Sequence, residues 1–212
     1  MNNLASTIKP QLLRDDLTNE LAAALHAVPR IAWDIETSGL DWRVEQIGTC
    51  QLHAPEVGTV IVQINGTSPN RLRGLLADPA VLKVFHHAPF DLRFMAAQWG
   101  LMPKAVACTK IASKLLDPHA AKEAHSLQAL LRRQLGIHIS KAERLSNWLL
   151  DDLSPDQLAY AAADVTHLLT LLDSLEKELA NAGLADLYEQ CTEFLPARVR
   201  LDIGSYPDVF AY

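Results

Sequence analysis

The 212-residue sequence predicts an α/β domain, a mixed β-sheet flanked by helices. Three observations point there. Apolar runs at 30–35, 45–53 and 58–64 have the length and composition of strands. A shorter apolar run at 81–85 follows, and helical patterns surround it on both sides. Proline and glycine stand where such elements start and stop.

The elements follow in order. Residues 16–28, DLTNELAAALHAV, have the spacing of an amphipathic helix, which Pro29 ends. The first strand is 30–35. The stretches GTCQLHA and VGTVIVQI, joined across Pro55 and Gly58, predict a hairpin, and Asn65-Gly66 closes that region. Pro69 starts a helix that runs to 76, and 81–85 is a short strand. Pro89 falls in the first turn of the next helix, where a missing N–H costs little, and Gly100 stops that helix after Trp99. Helices are expected at about 109–117, 125–135, 155–181 and 184–195, the third capped by Ser154 with Pro155 at its first position. With no repeat, low-complexity run or linker, the expectation is one domain over 1–212, with 194–212 as a C-terminal tail.

Composition bounds the function. Apolar residues make up 49% and charged residues 21%, the balance of a soluble protein with a sizeable core. A net charge of −6 argues against tight, nonspecific binding of long nucleic acid, though not against a short anion held through metal ions. Cys50, Cys108 and Cys191 are odd in number and far apart, so no disulfide framework or metal spacing follows. A reducing compartment suits them. The N-terminus has no apolar run of signal-peptide or membrane-span length, so the expected location is cytoplasmic, without a membrane.

The chemistry lies in the acids. In IAWDIETSGL, 31–40, Asp34 and Glu36 are two apart on a strand and point the same way. Like charges that close repel, and apolar flanks cost them hydration. Either a cation sits between them or the strand ends there in water. Asp91, in VFHHAPFDLRFM, lies on the first turn of a helix after a short strand. Asp164, in LAYAAADVTHLL, lies within a helix, with Tyr160 four residues earlier on the same face. Small apolar residues surround Asp164, where an unpaired carboxylate is expensive. Divalent cations with oxygen ligands, Mg²⁺ among them, suit such a set. The bland alternative makes the four acids helix caps and surface charge. It is weakest at Asp34 and Asp164, whose flanks predict burial.

The stretches DIE, HHAPFD and YAAAD, in that order, resemble the three exonuclease motifs of the DEDD superfamily of 3′→5′ exonucleases. A tyrosine four residues before the last aspartate is the mark of its DEDDy branch, which includes ribonuclease D. The resemblance spans about residues 25–180 and implies a ribonuclease H-like fold. His87, Ala88 and Pro89 depart from the usual residues of the second motif. CTKIASKLL (108–116), SKAERLSNW (140–148) and FLPARVRLDIGSYPDVFAY (194–212) are similar to the NrnC-type diribonucleases (nanoRNase C).

This resemblance implies a 3′–5′ exoribonuclease that hydrolyses diribonucleotides or very short RNA to nucleoside 5′-monophosphates, using two divalent cations, Mg²⁺ or Mn²⁺, about 3.5–4 Å apart. It implies that Asp34 bridges both cations, that Glu36 and Asp164 hold the one that activates water, and that Asp91 holds the other. Tyr160 orients the water, since a free phenol with a pKa of about 10 is a poor base at neutral pH. The family also implies a ring-like homo-octamer and a leucine wedge at Leu40 between two bases. Leu40 otherwise reads as turn packing. His86 and His87 are candidates for phosphate or ribose contact, or are plain polar histidines. Lys110, Ser113, Lys114 and Lys141 are candidates for binding phosphate, or form solvated helix faces. Trp33, Trp99 and Trp148 read as core or interface, and Asp151, Asp152 and Asp156 as a solvated cap region. Ribonuclease D proper carries a further helical RNA-binding domain that this stretch lacks, which favours a short RNA partner. The alternatives are a ribonuclease D-like exonuclease on longer RNA and a catalytically idle nucleic-acid-binding protein of the same fold.

Overall fold

The computed structural model describes residues 9–66, 68–140, 142–143 and 145–211. Its strands are β1 (Gln11–Arg14), β2 (Arg30–Thr37), β3 (Ile47–Ala54), β4 (Gly58–Gln63), β5 (Leu82–Phe85) and β6 (Val106–Cys108). They form one six-stranded sheet in the order β1-β4-β3-β2-β5-β6. β2, β3 and β4 pair antiparallel, whereas β1 joins β4, and β5 and β6 continue from β2, in parallel. The sheet is mixed, as the sequence predicts. β1 and β6 are additions, four and three residues long and too short to show a period.

Strand alternation divides the core. Ile31, Trp33 and Ile35 of β2 face α1 (Asn19–His26), α2 (Asn70–Ala77) and α3 (Ala88–Trp99). Ala32 and Val84 face the other way, toward α4 (Thr109–Leu116) and α5 (Leu127–Leu135). On that second side α6 (Pro155–Thr166) lies across β2, β3 and β4, and α7 (Leu168–Asn181) and α8 (Ala185–Glu193) follow. Fully burying each large apolar side chain contributes roughly 1.5–3 kcal/mol, so the two layers hold the sheet from both faces.

Two expectations change. The single helix over 155–181 is two, with a break at His167, whose φ of −110° and ψ of 4° leave the helical region. The Thr166 hydroxyl donates to the Ala162 carbonyl at 2.6 Å, a local bond that competes with the helix ladder and bends it. The stretch from 194 is more than a tail. It begins with α9 (Leu195–Ile203), which packs on α3 and buries Leu195 and Val199 in the first core layer. The start of α6 is as expected: Ser154 and Gln157 cap each other's backbone, and Pro155 follows.

One glycine positions the loop beside the site. The β2–β3 register skips Gly48, so it bulges from β3. A Cβ there would lie 2.4 Å from the Trp148 carbonyl oxygen. That close approach seats Trp148 against Ile61, Ala161 and Tyr160. Gln157 Nε2 donates to the Asn147 carbonyl at 3.0 Å, and Gln63 Nε2 to that of Asp151 at 3.2 Å, which ties the loop down. Among the described residues no helix is long and apolar enough to cross a membrane.

Candidate active site

Strand pairing opens the site. β5 pairs with β2 only as far as Ala32, then leaves the sheet as α3 begins. His87 makes that turn with a left-handed backbone, φ 73°, unusual outside glycine. Beyond Ala32 one edge of β2 is therefore free. The Ile35 N–H points out of it and donates to Asp91 Oδ1 at 3.2 Å, which anchors the acid of α3 to β2. Asp34 and Glu36 project from the face that α6 covers, and α6 brings Asp164 and Tyr160 to them. Asp34, Glu36 and Asp164 each offer a carboxylate oxygen, and these oxygens lie within 4.8 Å of one another.

The acids are electrostatically frustrated. Burial pushes Glu36 up to about 9, with Asp164 and Asp91 adding repulsion. Burial likewise pushes Asp91 up to about 8, although the Ile35 N–H opposes it. Asp164 rises to about 7 through burial, partly offset by a hydrogen bond from Tyr160. Asp34 is raised well above the usual carboxylate range by burial first and then by Asp91, Asp164 and Glu36. Packed acids that cannot all ionise are what a bound cation relieves. Oxygen-only donors at this spacing fit a hard divalent ion such as Mg²⁺. Asp34, Glu36 and Asp164 would hold it, with Asp91 beside them.

The acids open into a cleft of about 290 Å³, also lined by His86, His87, Phe90, Lys110, Ser126, Gln128, Ile139, Ser140 and Tyr160. The Tyr160 ring packs on Trp148, with centroids 6.0 Å apart. Burial and then Asp164 raise its pKa, so the hydroxyl keeps its proton at neutral pH. Cations gather around His87 at one side of the cleft: partial desolvation of its ring and then Lys110, Arg93, Lys114 and Lys122 depress it to about 4.

The substrate candidates separate here. Lys110 lines the cleft, Lys114 is exposed one turn further along α4, and His87 is exposed at the rim. His86 also lines it, but Nδ1 bonds the Thr109 hydroxyl at 2.9 Å and the ring bonds the His125 backbone. It is a brace, held neutral by burial with a pKa of about 3. Ser113 does not reach the cleft. It is buried, and its hydroxyl pairs with His125 Nδ1 at 2.8 Å. Leu40 is 83% exposed, in the loop after β2, and packs in no turn. Lys141 lies outside the described residues. Trp33, Trp99 and Trp148 are core, and Asp151, Asp152 and Asp156 are solvated.

Sequence reasoning missed Phe90, Ser126, Gln128, Ile139 and Ser140. Phe90 directly precedes Asp91, which was a usable signal. Ser140 opens the SKAERLSNW stretch, and Ser126, Gln128 and Ile139 come from distant segments with no local pattern.

The chain matches the 3′–5′ exonuclease family over residues 12–180. Ribonuclease D of Musicola paradisiaca is 30% identical over 169 residues, covering 80% of this chain and 44% of that protein. The chain thus spans less than half the length of the curated relatives it matches. The structure of Brucella melitensis NrnC superposes with a TM-score of 0.88 at 34% identity, covering 96% of this chain and 98% of that one. NrnC has also been solved with bound Mg²⁺ and bound to pGG, the latter 35% identical with a TM-score of 0.88 over 96% of this chain and 98% of that one. Escherichia coli RNase D superposes with a TM-score of 0.78 at 25% identity, covering 90% of this chain and 50% of that one.

Proposed function

Because the chain belongs to the 3′–5′ exonuclease family, in its ribonuclease D and NrnC branch, we propose that it is a cation-dependent exoribonuclease on dinucleotides and very short RNA. The observation that carries this is the convergence of Asp34, Glu36 and Asp164 within 4.8 Å, with pKa values raised by burial and, for Asp34 and Glu36, by the neighbouring acids. The reaction is hydrolysis of the last phosphodiester. Water attacks phosphorus, the bond to the 3′ oxygen breaks, that oxygen takes a proton, and a nucleoside 5′-monophosphate leaves.

Two divalent cations, Mg²⁺ or Mn²⁺, would supply Lewis acidity to the phosphate and its attacking water. Asp34, Glu36, Asp91 and Asp164 would hold them. The protonated Tyr160 hydroxyl, kept in place by Asp164 and by ring packing on Trp148, orients the water rather than taking its proton. Lys110, with Lys114, Lys122 and Arg93 within electrostatic reach, draws the substrate's phosphates toward the cleft. His87 and Phe90 form one wall.

Three observations support a short substrate: the small cleft, the net charge of −6, and the NrnC relative bound to pGG. The ribonuclease D relatives support a second reading, an exonuclease on longer RNA ends. The free cysteines suit a reducing cytoplasm. Exposed Phe194, Tyr206 and Phe210 near the C-terminus suit a homo-oligomer.

A length ladder of 5′-phosphorylated oligoribonucleotides tests the proposal. Dinucleotides should be cleaved faster than chains of five or more, and chelator should abolish cleavage. Equal rates would promote the ribonuclease D-like reading. No cleavage of any length would leave an idle binding protein.

A further inference from the structure

Beyond the four acids, two fully buried neutral polar side chains lie on the same face of the sheet. Asp34 pairs across strands with Gln51, and Glu36 with Thr49. Both partners are 0% exposed. Side chains directly opposite in an antiparallel pair point to the same face, so β3 aims two polar groups at the acid cluster of β2. Gln51 Nε2 donates to Asp34 Oδ2 at 3.2 Å. The Thr49 hydroxyl donates to Gln51 Oε1 at 3.1 Å.

We propose that Gln51, locked by Thr49, is a positioning residue that holds Asp34 in the orientation in which it receives the divalent cation. The inference rests on the cation-dependent reading of the site. Asp34 is repelled by three neighbouring acids, and the geometry gives its carboxylate a restraint against that repulsion in the Gln51 N–H. A lysine would restrain it but would cancel the charge that attracts a cation. A neutral N–H restrains it and leaves the charge intact. An ionised carboxylate can only accept, so the amide must present its NH₂. With the amide so oriented, the Thr49 hydroxyl donates to its oxygen and pins the side chain. The bond engages Oδ2 and leaves Oδ1 for a metal. Partners of this kind around metal ligands typically affect metal affinity about 10–100-fold.

Gln51→Met keeps length and packing and removes the N–H. Thr49→Val keeps shape and removes the hydroxyl. Calorimetric titration of Mn²⁺ into substrate-free protein stripped of cations reads the effect directly. The expected result is Mn²⁺ binding about 10–100-fold weaker in Gln51→Met and weaker in the same direction, by a smaller factor, in Thr49→Val. At saturating Mn²⁺ the KM for a dinucleotide should match wild type. If Gln51→Met fails to fold, judged by circular dichroism, Thr49→Val decides. Binding within twofold of wild type in the folded variants would overturn the relay while leaving the exonuclease reading standing. Wild-type protein that binds no divalent cation would overturn both.

Discussion

Tyr160 keeps its proton because burial, Asp164, Glu36 and Asp34 all raise its pKa. Its ring and its hydroxyl are separable. The ring is held by Trp148, so Tyr160→Phe should fold as wild type, whereas losing the hydroxyl should cut turnover by roughly 10²-fold or more with cation binding nearly unchanged. Wild-type turnover in that variant would reduce Tyr160 to packing. Glu36 gives a pH prediction. Its folded pKa of about 9 lies above the ordinary 4.5, so between those values the cation-free folded state holds a proton that the unfolded chain has lost. Stability from this group is therefore present below about pH 4.5 and is lost as pH rises through 9. Glu36→Gln removes the group. In chelator, its melting temperature relative to wild type should climb steadily from pH 5 to 9. A flat difference would mean that Glu36 titrates normally.

Elements act through close contacts. The β3 bulge at Gly48 lets the Trp148 carbonyl approach, and Trp148 in turn supports Tyr160 on α6. A methyl group at Gly48 meets backbone rather than a flexible side chain, so the loop must move. Gly48→Ala should destabilise the protein by about 1–3 kcal/mol in urea unfolding and lower turnover by displacing the tyrosine's support. Unchanged stability would show that the loop shifts freely. Helix starts were readable, since Ser154, Pro155 and Pro89 are local signals. The break at His167 was not, because leucines continue through 168–175 and the competing Thr166 bond is visible only in three dimensions.

Across the whole molecule, charge and exposed surface bear on the proposed substrate and assembly. A chain of net charge −6 places Lys110, Arg93, Lys114 and Lys122 around His87 at its cleft. Leu40, 83% exposed in the loop after β2, is free to meet a base. Leu40→Ala should therefore narrow the preference for 5′-phosphorylated dinucleotides over chains of five or more, measured as the ratio of kcat/KM. An unchanged ratio would exclude Leu40 from selectivity. Phe194, Tyr206 and Phe210 lie exposed near the C-terminus, and Phe194 and Phe210 meet edge to face at 5.7 Å. Light scattering should find wild type larger than one chain and Phe210→Asp smaller than wild type. Equal masses would remove this surface from assembly.

Spacing and motif order along the chain singled out Asp34, Glu36, Asp91, Asp164 and Tyr160 as candidates, and the fold gathers them at one cleft. Strand alternation puts the first two on one face, and the helical repeat aligns the last two, so covalent geometry alone groups them in pairs. Flanking apolar residues revealed that burial would raise the cost of their charge. What brings the pairs together is tertiary: β5 diverges from β2, the Ile35 N–H catches Asp91, and α6 crosses the sheet. A side chain's role also depends on which neighbour takes its hydrogen bond. Ser113 could have been a phosphate contact or part of a solvated helix face, and His86 a phosphate or ribose contact or a plain polar histidine; Ser113 pairs with His125, and His86 with Thr109 and the His125 backbone. Gln51 carried no signal in the sequence, because a glutamine in a strand acquires meaning only from the register that sets it opposite Asp34.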